Sequence, residues 1–222
     1  MKIEALTVNF NTPDYVKQLI ICLYKCIKKY QFDITIINNG PINFEDNNGL
    51  FNIINFHNEA NNFINILKAK NKIHLRKSAS LYGSAHHAYT IDNYIYNISN
   101  ADIILLFDTD VIINEAFDDK IDFLIDSDQP FYSCITPEDI GNTRKPRVAP
   151  HCCFINRKKF IEMNLKFLTE DKFLDITHPM SYDTGRGLYE NVANLNFKYF
   201  QDNSFFKHLK GISWKRCEHR NV

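Results

Sequence analysis

Residues 102–107 read DIILLF and are followed at once by Asp108-Thr109-Asp110. A strand that is apolar on both of its alternating faces must be covered on both, which places it mid-sheet with helices above and below. Residues i and i+2 of extended backbone point the same way, so Asp108 and Asp110 converge at the carboxyl end of this strand. Open α/β sheets bind ligands at that end. Two adjacent carboxylates repel unless positive charge lies between them. A hard divalent cation, Mg2+ or Mn2+, takes oxygen ligands and leaves positions for substrate phosphates. The plainer alternative is an Asp-rich turn that caps the next helix.

The flanking sequence supplies the rest of such a sheet. Residues 3–8 form a first strand, and Pro13 opens a helix whose apolar stripe is Val16, Leu19, Ile20, Leu23 and Ile27. Residues 33–38 form a second strand, stopped by Asn39-Gly40-Pro41. Further short strands are expected at 50–56 and 72–76, with Phe63, Ile64 and Leu67 on a helix between them. Helices are expected over 86–99, burying Ala88, Ile91, Ile95 and Ile98, and over 115–126, burying Phe117, Ile121, Leu124 and Ile125. The second half is less regular: strands at 131–135 and 151–155, a helix at 183–195, a strand near 197–200 and a basic tail over 207–220. Strand–helix alternation predicts an α/β class, a Rossmann-like domain with a mostly parallel central sheet flanked by helices. At 222 residues, one domain is expected.

Composition excludes several partners. With 26 basic and 26 acidic residues the formal net charge is zero, unlike the basic footprint of a nucleic-acid binder. No apolar run reaches the roughly 18 residues that span a bilayer. Met1-Lys2-Ile3-Glu4 does not begin a signal peptide. Six cysteines do not form a disulfide framework, which predicts a reduced, cytoplasmic protein, free or peripheral to a membrane. Cys22 with Cys26, and Cys152 with Cys153, read as buried thiols more readily than as a zinc site.

Six segments carry a resemblance: TVNFNTPDYVKQLI at 7–20, INNG at 37–40, GSAHHAYTID at 83–92, LLFDTDVII at 105–113, YDTGRGLYE at 182–190 and HLKGISW at 208–214. Together they resemble nucleotide-sugar-dependent glycosyltransferases of the GT-A fold, similar to family 2. The third, fifth and sixth are similar to the S-x-x-H-G-x-x-L-D, D-T-G and H-x-x-G-x-S-W elements of a subset of these enzymes. His87 and Asp92 match there, whereas Ala88 replaces Gly and Ile91 replaces Leu. Asn39 stands where family members often carry an acid. The resemblance implies a nucleotide-sugar-binding half over 1–115 and an acceptor-binding half with a metal-completing tail over 116–222.

It also implies roles. Asn9, Asn11 and Asn39 would bond the nucleobase and ribose, although each is also an ordinary turn residue. His87 would touch the diphosphate or ribose. Asp108 and Asp110 would hold the metal and donor diphosphate, His208 would complete the metal site, and Lys210 would neutralise phosphate charge. Transfer with inversion needs a carboxylate to take the acceptor hydroxyl's proton, and Asp183 is the preferred base, with Glu190 as fallback. Asp183 before a helix is equally a standard N-cap. Apart from the resemblance, the charge-rich composition of the 136–150 loop suits either a mobile acceptor-side loop that orders over bound donor or a plain surface loop. Expected partners are a UDP-, GDP- or dTDP-linked sugar and a glycan, lipid-linked or protein acceptor. A nucleotidylyltransferase is the first rival, but VNFNTPDY lacks the Gly-rich basic loop needed for a triphosphate. A non-catalytic sugar-nucleotide or carbohydrate-binding module is the second.

Overall fold

All seven residues of strand β1 (Ile3–Asn9) are buried, and so are five of the six in β4 (Ile103–Asp108). These two strands pair in parallel at the centre of a six-stranded sheet. The structure is a computed structural model that describes residues 1–41, 49–71, 79–136, 146–168, 184–200 and 203–209. Of residues 67–71 and 79–84 it describes the backbone alone. Helix α1 (Pro13–Cys26) follows β1, and β2 (Asp33–Asn38) and β3 (Asn52–Asn55) extend the sheet in parallel on one side. On the other side of β4 lie β7 (Arg147–Asn156) and then β6 (Phe131–Thr136), giving the order β3-β2-β1-β4-β7-β6. Only β7 runs against the rest, because both of its pairings are antiparallel. The sheet is therefore mostly parallel, as expected.

Alternation along β4 divides its side chains between two cores. Ile104 and Leu106 pack with helix α2 (His57–Asn71), helix α3 (Ala79–Asn93) and helix α6 (Arg186–Val192). Ile103, Leu105 and Phe107 pack against α1 and helix α4 (Asp118–Asp126) on the other face. The stripe read from the sequence of α1 is the one buried: Val16, Leu19, Ile20 and Leu23, with Ile27 just past the helix end. Much of the aromatic content is core. Phe107, Phe117, Phe154, Phe200 and Phe205 form a run of edge and tilted contacts at 5.4–5.9 Å between centroids.

Several boundaries differ from the sequence reading. The 86–99 helix begins earlier, at Ala79, and ends in a π-helical turn, Tyr94–Ile98. A buried carboxylate accounts for that turn: Glu4 of β1 accepts from Tyr94 Oη at 2.6 Å, Thr35 Oγ1 at 2.6 Å and Ser99 Oγ at 2.9 Å. A buried charge is tolerated only when hydrogen-bonded in this way, and the widened turn presents both Tyr94 and Ser99 to it. Helix α4 starts at Asp118, with Phe117 outside it yet fully buried. Strand β7 reaches back to Arg147, so residues 147–150 of the expected loop are sheet. A short helix α5 (Arg157–Glu162) follows β7 and was not anticipated.

The strand expected near 197–200 is irregular backbone instead, fastened by Lys198 N to Gln129 Oε1 at 2.7 Å and Phe200 N to Ser133 O at 2.9 Å. The late strand is β8 (Phe206–His208), which pairs antiparallel with β5 (Val111–Ile113) as a separate ribbon. The strand expected at 72–76 lies outside the described residues. No helix among the described residues is long and apolar enough to cross a membrane.

Candidate functional site

The carboxyl ends of β1, β2 and β4 meet at one edge of the sheet, and two groups of polar side chains gather there. One is built on β4. Asp108 ends that strand, and the register Phe107↔Cys152 makes His151 of β7 its next antiparallel neighbour. The turn through Thr109 and Asp110 leads into β5, whose Val111 pairs with His208 of β8. Leu209 N closes the ribbon onto Asp110 O at 2.9 Å. His208 Nε2 therefore lies 3.1 Å from Asp110 Oδ1 and 3.9 Å from Asp108 Oδ2. His87, on α3, brings its Nε2 to 3.6 Å from Asp108 Oδ1.

Ligand atoms of Asp108, His151 and His208 all lie within 4.8 Å of one another. The His151 and His208 rings stack at 4.2 Å between centroids with a 15° interplanar angle. A carboxylate with two imidazoles is a donor set that suits a divalent transition metal, so these residues fit such an ion. The expected trio of Asp108, Asp110 and His208 is brought together, with His151 in addition. His151 went unnoticed in the sequence because only the β4–β7 register reveals it. The one sequence signal is a histidine inside a strand that must pair near D-x-D.

The other group caps β1 and β2. Asn9 is buried, and its amide is engaged at both ends. Nδ2 donates to Asn38 Oδ1 at 2.8 Å, while Oδ1 accepts from Thr12 N and Thr12 Oγ1, each at 3.0 Å. Thr12 and Thr109 hydroxyls then meet at 2.9 Å, joining this loop to the D-x-D turn. Asn11 is left-handed, φ 59°, and lies over Gly40, where an added Cβ would come within 2.8 Å of Asn11 Oδ1. Asn39 is 1% exposed and donates from Nδ2 to Thr90 Oγ1 at 2.8 Å and to His86 Nδ1 at 3.2 Å. Its Oδ1 has no hydrogen-bond partner among the described residues. Burial, with His57 and His87 nearby, pushes His86 down to about 4, so its ring is neutral and able to accept at Nδ1.

Asp92, from the matched GSAHHAYTID segment, is buried away from both groups. Its two oxygens accept from Phe167 N and Leu168 N, each at 2.8 Å, and burial raises its carboxyl to about 7 against those bonds. Glu190, the fallback base, pairs with Arg186 Nη2 at 2.9 Å, and Arg186 also donates to Pro146 O at 2.6 Å. Gly185 has φ 88° and presses on β7, where an added Cβ would lie 2.0 Å from Val148 O. That contact and the Val148 N to Gly185 O bond at 3.2 Å stitch the Thr184-Gly185 turn to the strand bearing His151. Asp183 and Lys210 lie outside the described residues, as does 137–145 of the expected loop.

Among the described cysteines, Cys26, Cys134, Cys152 and Cys153 are buried and Cys22 is half-buried. Cys152 and Cys153 are fully buried and face opposite cores, so they do not share a site. Burial raises Cys134 to about 11.

No protein-family profile matches the chain, and no curated protein matches it in sequence. Solved structures do. The galactosyltransferase LgtC, in complex with donor and acceptor sugar analogues, superimposes with a TM-score of 0.51 over 85% of this chain and 70% of its own, at 12% identity. An active-site mutant of LgtC gives 0.53 over 85% and 69%, also at 12% identity. At this identity the likeness concerns the fold: the chain shares the mixed α/β arrangement of GT-A glycosyltransferases.

Proposed function

We propose that this chain is a glycosyltransferase that moves a sugar from a nucleotide-sugar donor to an acceptor hydroxyl, as a single domain and with a divalent metal. The observation that carries the reading is the convergence of Asp108, Asp110, His87 and His208 at the carboxyl end of the central strand. In open α/β sheets that is the ligand-binding edge. The amides capping β1 and β2 lie on the same edge, joined to the cluster through Thr12 and Thr109. The likeness to LgtC supports the fold on which such a reaction is run.

Asp108, Asp110 and His208 would hold the ion, Mn2+ or Mg2+. When bound it supplies positive charge for the departing diphosphate. His87, beside Asp108, is placed to donate to a phosphate or ribose oxygen. Asn39, with Asn11 and Gly40 above it, would face the base, and its Oδ1 would accept from a ring N–H. Asp183 would take the acceptor's proton, followed by the Thr184-Gly185 turn that is anchored to β7. In this reading the displacement is direct and inverts the anomeric centre, and the acceptor is a glycan, lipid-linked or protein hydroxyl. Family 2 membership, the donor halves and a cytoplasmic location belong to the same proposal.

Thermal shift with UDP-, GDP-, dTDP- and CMP-linked sugars, with and without Mn2+, tests the donor reading. A nucleotide sugar present at 100 times its Kd should stabilise the chain by about 2.7 kcal/mol. If none shifts the transition in either condition, the donor reading is wrong. Asp183→Asn should bind donor as the parent does and lose transfer by at least about 100-fold. A variant that stays active moves the base elsewhere.

A further inference from the structure

We propose that His151 is a metal ligand, so that the centre carries two imidazoles and prefers a nitrogen-accepting transition metal, such as Mn2+ or Co2+, over Mg2+. This rests on the reading of the D-x-D edge as a metal centre and goes beyond it in naming the donor set and the class of ion.

Three observations converge. Asp108, His151 and His208 come from β4, β7 and β8, and their ligand atoms lie within 4.8 Å of one another. Asp108 pairs with Val8 and His208 with Val111, and His151 directly follows the last β4–β7 pair, Phe107↔Cys152, so the cluster rests on strand ends. Second, β7 is bulged at this point. Between the pairs Ser133↔Cys153 and Ile135↔Val148, a step of two residues on β6 (133 to 135) faces five on β7 (153 to 148). Bulges re-aim side chains beside functional sites, and this one contains His151. Ser133 Oγ, with one proton to donate, lies within reach of Ala149 O at 2.9 Å and Cys152 O at 2.8 Å, on either side of the histidine.

Third, the His151 ring is contacted by three neighbouring side chains. His208 stacks on it at 4.2 Å, Phe206 packs at 5.6 Å, and Cys134 Sγ lies 3.7 Å from Nε2. A ligand histidine is usually oriented by such surrounding contacts. Asp110 is outside the mutually close trio and instead contacts His208 Nε2 at 3.1 Å. The centre is thus richer in nitrogen than D-x-D alone implies. Imidazole suits first-row transition ions, whereas Mg2+ favours oxygen ligands and its own water.

The test is Mn2+ binding by the full chain without nucleotide, followed by electron paramagnetic resonance, with pulsed methods to count coupled imidazole nitrogens. The parent should show two imidazoles and should keep Mn2+ against at least about a tenfold excess of Mg2+. His151→Phe, which retains a stacking ring, should show one imidazole. Its Mn2+ affinity should fall at least about tenfold while Mg2+ affinity changes little. A single imidazole in the parent, or unchanged Mn2+ affinity in His151→Phe, overturns the proposal, and the parent count needs no variant to fold. Failure here is separable from failure of the transferase reading. Two imidazoles with no nucleotide-sugar response leave this inference standing and remove that reading. Donor binding with one imidazole does the reverse.

Discussion

The two polar groups at the carboxyl edge of the sheet are built on opposite terms. Around Asn9 and Asn38 the side chains are neutral amides and hydroxyls that satisfy one another, buried and tied to the first turn of α1. Around Asp108 the side chains are carboxylates and imidazoles delivered from four separate segments, and their mutual contacts reach 3.6 and 3.9 Å. The first group is part of what holds the fold. The second is held by the fold, and its charges are close enough to share an ion. Buried neutral networks contribute stability when complete, whereas clustered charges are tolerated where function requires them.

That contrast can be broken most sharply at Asp108. Asp108→Asn should weaken Mn2+ binding by at least about 100-fold while shifting metal-free stability at pH 8 by less than about 0.5 kcal/mol. Titration calorimetry and thermal unfolding together read both quantities. A large stability loss with intact metal binding would reverse the roles given to the two groups. Asn9→Ala is the mirror experiment. It strips partners from Thr12 N, Thr12 Oγ1 and Asn38 Oδ1, and should cost about 2–3 kcal/mol in urea unfolding. An unchanged midpoint would show that the amide network contributes little.

Two buried titrating groups should show smaller effects per pH unit, of opposite sign. Asp92 is raised from 3.8 to about 7 in the folded chain. Its stabilising contribution is complete below pH 3.8 and lost as pH rises toward 7, with a slope of at most about 1.4 kcal/mol per pH unit. His86 is lowered from 6.5 to about 4, so its contribution is present above pH 6.5 and lost as pH falls toward 4. Between pH 4 and 6.5 the two oppose each other. Stability of Asp92→Asn should therefore rise more steeply with pH than the parent's, and that of His86→Gln should fall more steeply. Matching slopes in all three proteins would remove both assignments. The smallest effect is expected at Glu190. With its carboxylate in the Arg186 pair, Glu190→Gln should cost less than about 1 kcal/mol and leave transfer intact. Loss of transfer would instead make it the base in place of Asp183.

Much of the architecture was legible because it follows from local pattern. DIILLF has to be covered on both faces, Pro13 can open a helix, and the α1 stripe recurs at helical spacing. The elements misjudged are those that depend on partners distant in sequence. β8 is three residues long and exists because β5 lies beside it. The irregular 197–200 stretch spends backbone groups on Gln129 and Ser133 rather than on a neighbouring strand. The end of α3 opens into a π turn so that Tyr94 and Ser99 can serve the carboxylate of Glu4, some ninety residues earlier.

The same division runs through the site. Asp108 and Asp110 were legible because they adjoin the end of one apolar strand, although Asp110 lies in the turn after it and the two meet through His208. His208 was legible only through its motif, since the β5–β8 ribbon that delivers it leaves no local periodicity. His151 carried no motif, because its place beside Asp108 is a matter of antiparallel register and of a bulge in β7. By itself, then, the sequence determined the class of fold, the central strand and the edge at which charge collects. Those follow from burial and from side-chain period, which are properties of neighbouring residues. Tertiary structure decided which imidazoles meet the carboxylates and which asparagines are consumed by the scaffold, because register and loop closure relate residues that no local pattern connects.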